Sequence, residues 1–154
     1  MYRLLNPMPS ASPLPVSASL FSTPEQAELA FYRAFEASDL DAMMAVWDDA
    51  DDILCIHPMG PALSGRSAVT ESWREIFSGG AAMRFSLESV QVYAQENLAI
   101  RIVNEHIEIA SGKRVAPMVA TNLYRLTAHG WRMLTHHASP APSAAMAQSN
   151  SQLH

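Results

Sequence analysis

Apolar side chains recur at helical spacing through the first half of the chain and at every second position in the other half, the change coming at Gly79-Gly80. Thr23-Pro24-Glu25-Gln26 supplies a capping hydroxyl, a proline at the first helical position and a glutamine to close a capping box. Ala27, Ala30, Phe31, Ala34 and Phe35 then repeat at helical spacing, which predicts a helix to about Ala37. Asp39 caps a second, short helix whose stripe is Leu40, Met43, Met44 and Trp47. The run Ile53–Ile56 reads as a strand ended by His57-Pro58-Met59-Gly60-Pro61. A third helix is expected from about Ser67 to Ser78, with Val69, Trp73, Ile76 and Phe77 on one face. The glycine pair stops it.

Beyond Gly80 the period is two. Long strands are predicted near Met83–Ala94, Leu98–Ala110, Arg114–Thr127 and Trp131–His137, with turns at Asn97, Ser111-Gly112 and His129-Gly130. Three helices followed by a four-strand antiparallel meander make an α+β domain. The expected architecture is three N-terminal helices packed on a strongly curved antiparallel sheet, a cone-shaped barrel with an internal pocket. Residues 1–21 are rich in Pro and Ser and read as a flexible arm without a signal-peptide core, which makes a cytoplasmic location the expectation. The domain spans 22–139, and 140–154 reads as a disordered tail.

Composition narrows the function classes. The chain has 154 residues, 49% hydrophobic and 16% charged, which suits one domain with a sizeable core. A formal charge of −5 with scattered Lys and Arg argues against nucleic acid or an anionic membrane as partner. No apolar run is long enough to cross a bilayer. Cys55 is the only cysteine, so there is no intramolecular disulfide, and mid-strand it reads as a small buried hydrophobe. Asp48, Asp49, Asp51 and Asp52 lack the spacing and central glycine of a calcium loop and read as a solvated turn.

Two stretches, FYRAFEASDLDAMMAVWDDADDILCIHPMGPALSGRSAV and ATNLYRLTAHGWRMLTHHAS, resemble the nuclear-transport-factor-2-like superfamily. The likeness is to its SnoaL-like and ketosteroid-isomerase-like members and runs from about Thr23 to Ser139. The second stretch also looks like the end of the calmodulin-dependent kinase association domain, an assembly module of the same fold. The resemblance implies an internal pocket, and carried over by residue it places His57, before Pro58, where isomerases keep an aspartate base. The isomerase tyrosine falls on Phe31 with Tyr32 one residue on, and its protonated aspartic acid falls nearest Asn122. Base and oxyanion positions are therefore all altered.

His57 has the intrinsic pKa to exchange protons near neutrality, either as acid/base or as a ligand partner; a structural role, bracing its loop, is the alternative. Glu105 and His106 are adjacent on a strand, so at most one enters the interior; if it is Glu105, Arg101 on the same face is its expected partner. The same rule separates His136 from His137, and with no HxH or HExxH spacing the chain calls for no metal and no cofactor. Trp47, Trp73, Phe77 and Met59 read as core and pocket wall together. The resulting ligand-binding set is Tyr32, Trp47, Met59, Trp73, Phe77, Glu105, Asn122 and His136. Two functions remain open. One is proton transfer on a small, largely apolar carbonyl compound, with His57 as base and Tyr32 or Asn122 donating to the enolate oxygen. The other is a ligand-binding or assembly module without chemistry. A homodimer through the convex sheet face is expected, since so many apolar strand positions would otherwise stand exposed.

Overall fold

A computed structural model describes residues 20–80 and 82–142. The expected tail from 143 on and the arm up to 19 lie outside the described residues. Helix α1 (Pro24–Ala37) begins at the Thr23 cap, whose hydroxyl accepts from Gln26 N–H, and ends at Ser38 in the left-handed conformation, φ 51°. Helix α2 (Leu40–Val46) starts on the Asp39 carboxylate, and α3 (Arg66–Ser78) starts at Gly65 without a side-chain cap. The three helices lie within a residue or two of where the sequence places them.

The strands are β1 (Leu54–Ile56), β2 (Ala62–Ser64), β3 (Met83–Ala94), β4 (Leu98–Ile109), β5 (Met118–Thr127) and β6 (Gly130–Pro140). They form one open six-stranded sheet in the order β2-β1-β6-β5-β4-β3. The four-strand meander is as expected; the fully antiparallel sheet is not, because β1 runs parallel to β6. The short β2, which hairpins back on β1, was not legible in the loop sequence. The sheet is open at β2 and β3, so the three helices cover a curved sheet that does not close into a barrel. Pro117 lacks a ladder donor, and β5 accordingly begins after it and not at Arg114.

Phe21, placed by its sequence in the arm, bridges to Gly130 and lies 5.2 Å beneath the Arg132 guanidinium. Phe21 and, at the end of β6, Pro140 thus pair with the sheet just outside the expected 22–139 span.

The core lies between the concave sheet face and the helices. Phe31, Met43, Val46, Ile53, Val69, Trp73, Tyr124 and Met133 are fully buried there. Each large apolar side chain of this kind contributes roughly 1.5–3 kcal/mol on burial. Helix α1 buries Ala27, Glu28, Phe31, Tyr32 and Ala34, so its inward stripe carries two polar groups that the apolar pattern alone did not mark.

Two arginines, neither anticipated, tie the acidic turn down. Arg66 donates to the carbonyls of Met44 and Asp48 at 3.0 Å each, satisfying the C-terminal end of α2. Arg125 on β5 meets Asp48 at 2.7 Å and Asp52 at 2.8 Å, and this pairing holds the Asp52 carboxyl below its ordinary range. The turn read as simply solvated is a clamp between the helix layer and the sheet. An acidic run beside a buried strand was the available signal, since a half-buried carboxylate needs a cation.

Candidate functional site

Strand register decides which polar residues meet. On β4 the buried side chains are Ala99, Val103 and Glu105, while His106 is exposed and faces Glu88 on β3 at 3.3 Å. On β5 they are Ala120, Asn122 and Tyr124. On β6, Tyr124 pairs with Met133 but Leu123 pairs with Thr135, so Leu134 is an extra residue in the ladder. Without that bulge the alternation from Met133 would bring Thr135 and His137 inward. With it, His136 is buried and His137 is exposed.

Four side chains form one continuous buried chain of hydrogen bonds. Tyr32 Oη–H donates to Glu105 Oε1 at 2.7 Å. Asn122 Nδ2 donates to Tyr32 Oη at 3.2 Å, which turns the amide oxygen toward His136. His136 Nδ1 lies 2.7 Å from that Oδ1 and, facing an oxygen acceptor, carries the proton. His136 is therefore the Nδ1–H tautomer with its lone pair on Nε2. Burial first, then the neighbouring His57 and His137, push its pKa down to about 3, so the ring is neutral. Burial pushes the Glu105 carboxyl up, against the Tyr32 bond, with Glu28 adding to the rise. Burial, then the Glu105 charge, also raises the Tyr32 hydroxyl.

The expected Glu105–Arg101 pair does not form. Arg101 turns to α1, with Nε 2.9 Å from Glu28 and Nη1 2.7 Å from Glu25. Helix α1 brings carboxylates within reach of the guanidinium, and Tyr32 is left as the partner of Glu105. Glu28 Oε2 and the Tyr124 hydroxyl are buried with no partner among the described residues.

His57 ends β1 and is half-buried. Its Nε2 lies 3.1 Å from Ser72 Oγ on α3 and 3.6 Å from Cys55 Sγ. The Ser72 hydroxyl already donates to Val69 O at 2.8 Å, so it accepts from His57 Nε2–H. That leaves the Nδ1 lone pair of His57 without this partner. Its ring stands edge-on to Trp73, centroids 4.9 Å apart, and burial lowers its pKa. The neutral form is the resting state at pH 7, so His57 is equipped as a base or acceptor and not as an acid. The Cys55 thiol is pushed up to about 12 by burial and is a protonated core group.

Phe31, Phe35, Trp73, Phe77 and Phe85 fill the space between α1, α3 and the sheet with ring centroids 4.7–6.3 Å apart. Trp47 is buried at the α2 end, away from this cluster, where it bridges to Met133. Met59, expected on the wall, is 92% exposed: it takes φ 63° in the turn closed by Gly60 N–H to His57 O, which points its side chain to solvent. Three surface clefts of about 600, 530 and 590 Å³ involve none of the expected residues. The structure thus brings Tyr32, Glu105, Asn122 and His136 together, sets His57, Trp73 and Phe77 beside them, and leaves Met59 and Trp47 apart. Ser72 was missed; its helical offset from Trp73 gave no sign of it.

Comparisons with known proteins agree with this architecture. The sequence profile of the SnoaL-like domain matches residues 25–143. A solved structure from Thiobacillus denitrificans, described as a candidate calcium/calmodulin-dependent protein kinase type II association domain, is 46% identical. It covers 79% of this chain and 98% of its own, with a TM-score of 0.76. A candidate dehydratase of the NTF2-like family from Streptomyces avermitilis is 33% identical over 77% of this chain and 94% of its own, TM-score 0.70. Among curated proteins, the F-box protein SKIP8 of Arabidopsis thaliana is 26% identical over 71% of this chain and 46% of its own length. The chain spans about half the length of that relative.

Proposed function

The chain belongs to the SnoaL-like domain family, and from that premise we propose that it binds a small, uncharged, largely apolar molecule beside His57 and His136. The single observation that carries this is the buried Glu105–Tyr32–Asn122–His136 chain. Four polar side chains in a core cost several kcal/mol of desolvation that hydrogen bonding only offsets. A core that served stability alone would be filled with apolar residues. The lone pairs at the end of this chain and on His57, next to the Trp73 indole, are groups a ligand hydroxyl or carbonyl compound can meet. Among the described residues no Lys or Arg hydrogen-bonds to this chain of side chains, so an anion finds no counter-charge on it.

Size follows from the ring cluster. The rings stand in contact, so the ligand is of few carbons and enters by displacing half-buried Phe77 or Phe85; a steroid nucleus does not fit. If the bound compound carries a carbonyl, His57 Nδ1 takes the proton next to it. Tyr32 is not the oxyanion donor while Glu105 is ionised, because its hydrogen is already committed.

The experiment is a titration of isotope-labelled protein with cyclohexanone and benzaldehyde, followed at the Trp73 indole N–H and the His57 and His136 rings. Those resonances should shift, and His57→Ala should slow exchange of the ketone's α-protons in D₂O by roughly 100-fold or more. No movement of these signals across a panel of such compounds would sink the binding reading. Binding with no exchange above the buffer rate would leave a non-catalytic module.

A second reading, assembly, is favoured by a different observation. From Leu87 to Ala94, β3 is exposed on both faces, and Leu87, Val90, Val92 and Tyr93 stand in solvent. Together with the likeness to an association domain, this supports a homodimer through the exposed end of the β3 edge strand. The two readings are compatible, since one uses the core under the helices and the other the exposed end of β3.

A further inference from the structure

We propose that Glu105 is a positioning residue which, through Tyr32 and Asn122, decides whether His136 presents a lone pair or an N–H to the interior. The argument rests on donor and acceptor counting along the chain. Glu105 Oε1, Tyr32 Oη, Asn122 and His136 are linked at 2.7, 3.2 and 2.7 Å, and every link uses a group that can reverse its role. A carboxyl accepts when ionised and donates when protonated. A phenol hydroxyl rotates, an amide flips end for end, and an imidazole moves its proton between nitrogens.

With Glu105 ionised, all the donors point toward it. Tyr32 gives its hydrogen to the carboxylate, Asn122 gives an N–H to Tyr32, and His136 gives Nδ1–H to Asn122. The ring then shows Nε2 as an acceptor. When Glu105 takes up one proton from solvent, its O–H donates to Tyr32 Oη. The Tyr32 hydrogen then turns to Asn122, whose amide flips so that Oδ1 receives it and Nδ2 faces His136. The imidazole releases its Nδ1 proton to solvent and takes one from solvent at Nε2, so the ring stays neutral and shows an N–H. The net change is one proton added, at Glu105.

Burial keeps both states defined. Tyr32, Glu105, Asn122 and His136 are each 4% exposed or less, so water does not satisfy a member left unpaired. The titratable groups beside Glu105 are Tyr32 and Glu28 from α1 and Tyr124 from β5. Glu28 raises the affinity of Glu105 for a proton, while Arg101 is drawn off by Glu25 and Glu28. The groups around His136 are Asn122, His57, His137 and the rings of Phe31 and Trp73.

The consequence deepens the binding reading above and rests on it. The ionised state fits a ligand that donates, such as a hydroxyl or enol. The protonated state fits a ligand that accepts, such as a ketone oxygen. Glu105 would therefore select between the two halves of a keto–enol pair without touching either.

The test reads the tautomer directly and needs no ligand, so its failure is distinct from a failure to bind. Ring ¹⁵N shifts of His136 in the wild-type protein at pH 7.5 should show a protonated Nδ1. On acidification the Glu105 carboxyl ¹³C signal and the His136 tautomer should change with one midpoint. Glu105→Leu, which removes the terminal acceptor, should give Nε2–H at pH 7.5, and adding Asn122→Leu should uncouple the ring from position 105. A His136 found as Nε2–H while the Glu105 carboxyl ¹³C signal shows it ionised, or a Glu105 that titrates while His136 keeps its tautomer, would overturn the proposal. The wild-type titration decides the matter even if the Leu variants do not fold.

Discussion

Tyr32 Oη and Glu105 Oε1 lie 2.7 Å apart across 73 positions of sequence, joining the first helix to the middle of the fourth strand. Neither residue interrupts its local pattern by much: Tyr32 is an aromatic on an apolar helix face, and Glu105 is one polar residue in an alternating strand. Their meeting turns two ordinary positions into the anchor of a buried polar chain.

Removing the Tyr32 hydroxyl leaves Glu105 Oε1 without its donor and Asn122 Nδ2 without its acceptor in a site closed to water. Tyr32→Phe should cost about 1–3 kcal/mol in urea unfolding. Adding Glu105→Leu should cost less than the sum of the two single changes, because the second removes the carboxylate that the first stranded. Additive losses would mean that the two groups do not depend on each other.

Acid should destabilise the protein through His136. Its folded pKa is about 3, below the ordinary value near 6.5, so the unfolded chain binds the proton first. Stability attached to this ring is whole above pH 6.5 and falls as pH drops toward 3, by up to about 1.4 kcal/mol per pH unit. His57, also lowered, adds to the fall just below 6.5. Glu105, raised, works oppositely: it favours the folded state as pH falls through its folded pKa toward its unfolded value. His136→Asn should flatten the decline between pH 6.5 and 4, and an unchanged slope would contradict the burial of this ring.

The Arg125–Asp48 contact couples the acidic turn to β5 in a partly buried setting. Arg125→Met should destabilise by about 1 kcal/mol, with little relief from high salt because Asp48 is shielded. A loss abolished by 1 M NaCl would place the pair in bulk solvent.

If the exposed end of the β3 edge is an interface, Val92→Glu together with Tyr93→Glu, one on each side of the strand, should convert a dimer to a monomer in light scattering while circular dichroism stays unchanged. A wild-type protein that is monomeric at micromolar concentration would remove the assembly reading.

The sequence by itself determined the helices and the long strands. Thr23, Asp39 and Gly79 mark their helix ends because capping is chemistry within one turn, and the period change after Gly80 marks the sheet because side-chain alternation is local. It also settled that only one of Glu105 and His106, and one of His136 and His137, could face inward. Which one was decided by tertiary structure: a bulge at Leu134 shifts β6 by one residue and inverts its two histidines. The rotation of α1 that buries Tyr32 and Glu28, the competition that draws Arg101 away from Glu105, and the turn that throws Met59 into solvent were likewise set by the fold. In each case several local arrangements differ by little, and contacts tens of residues away select among them.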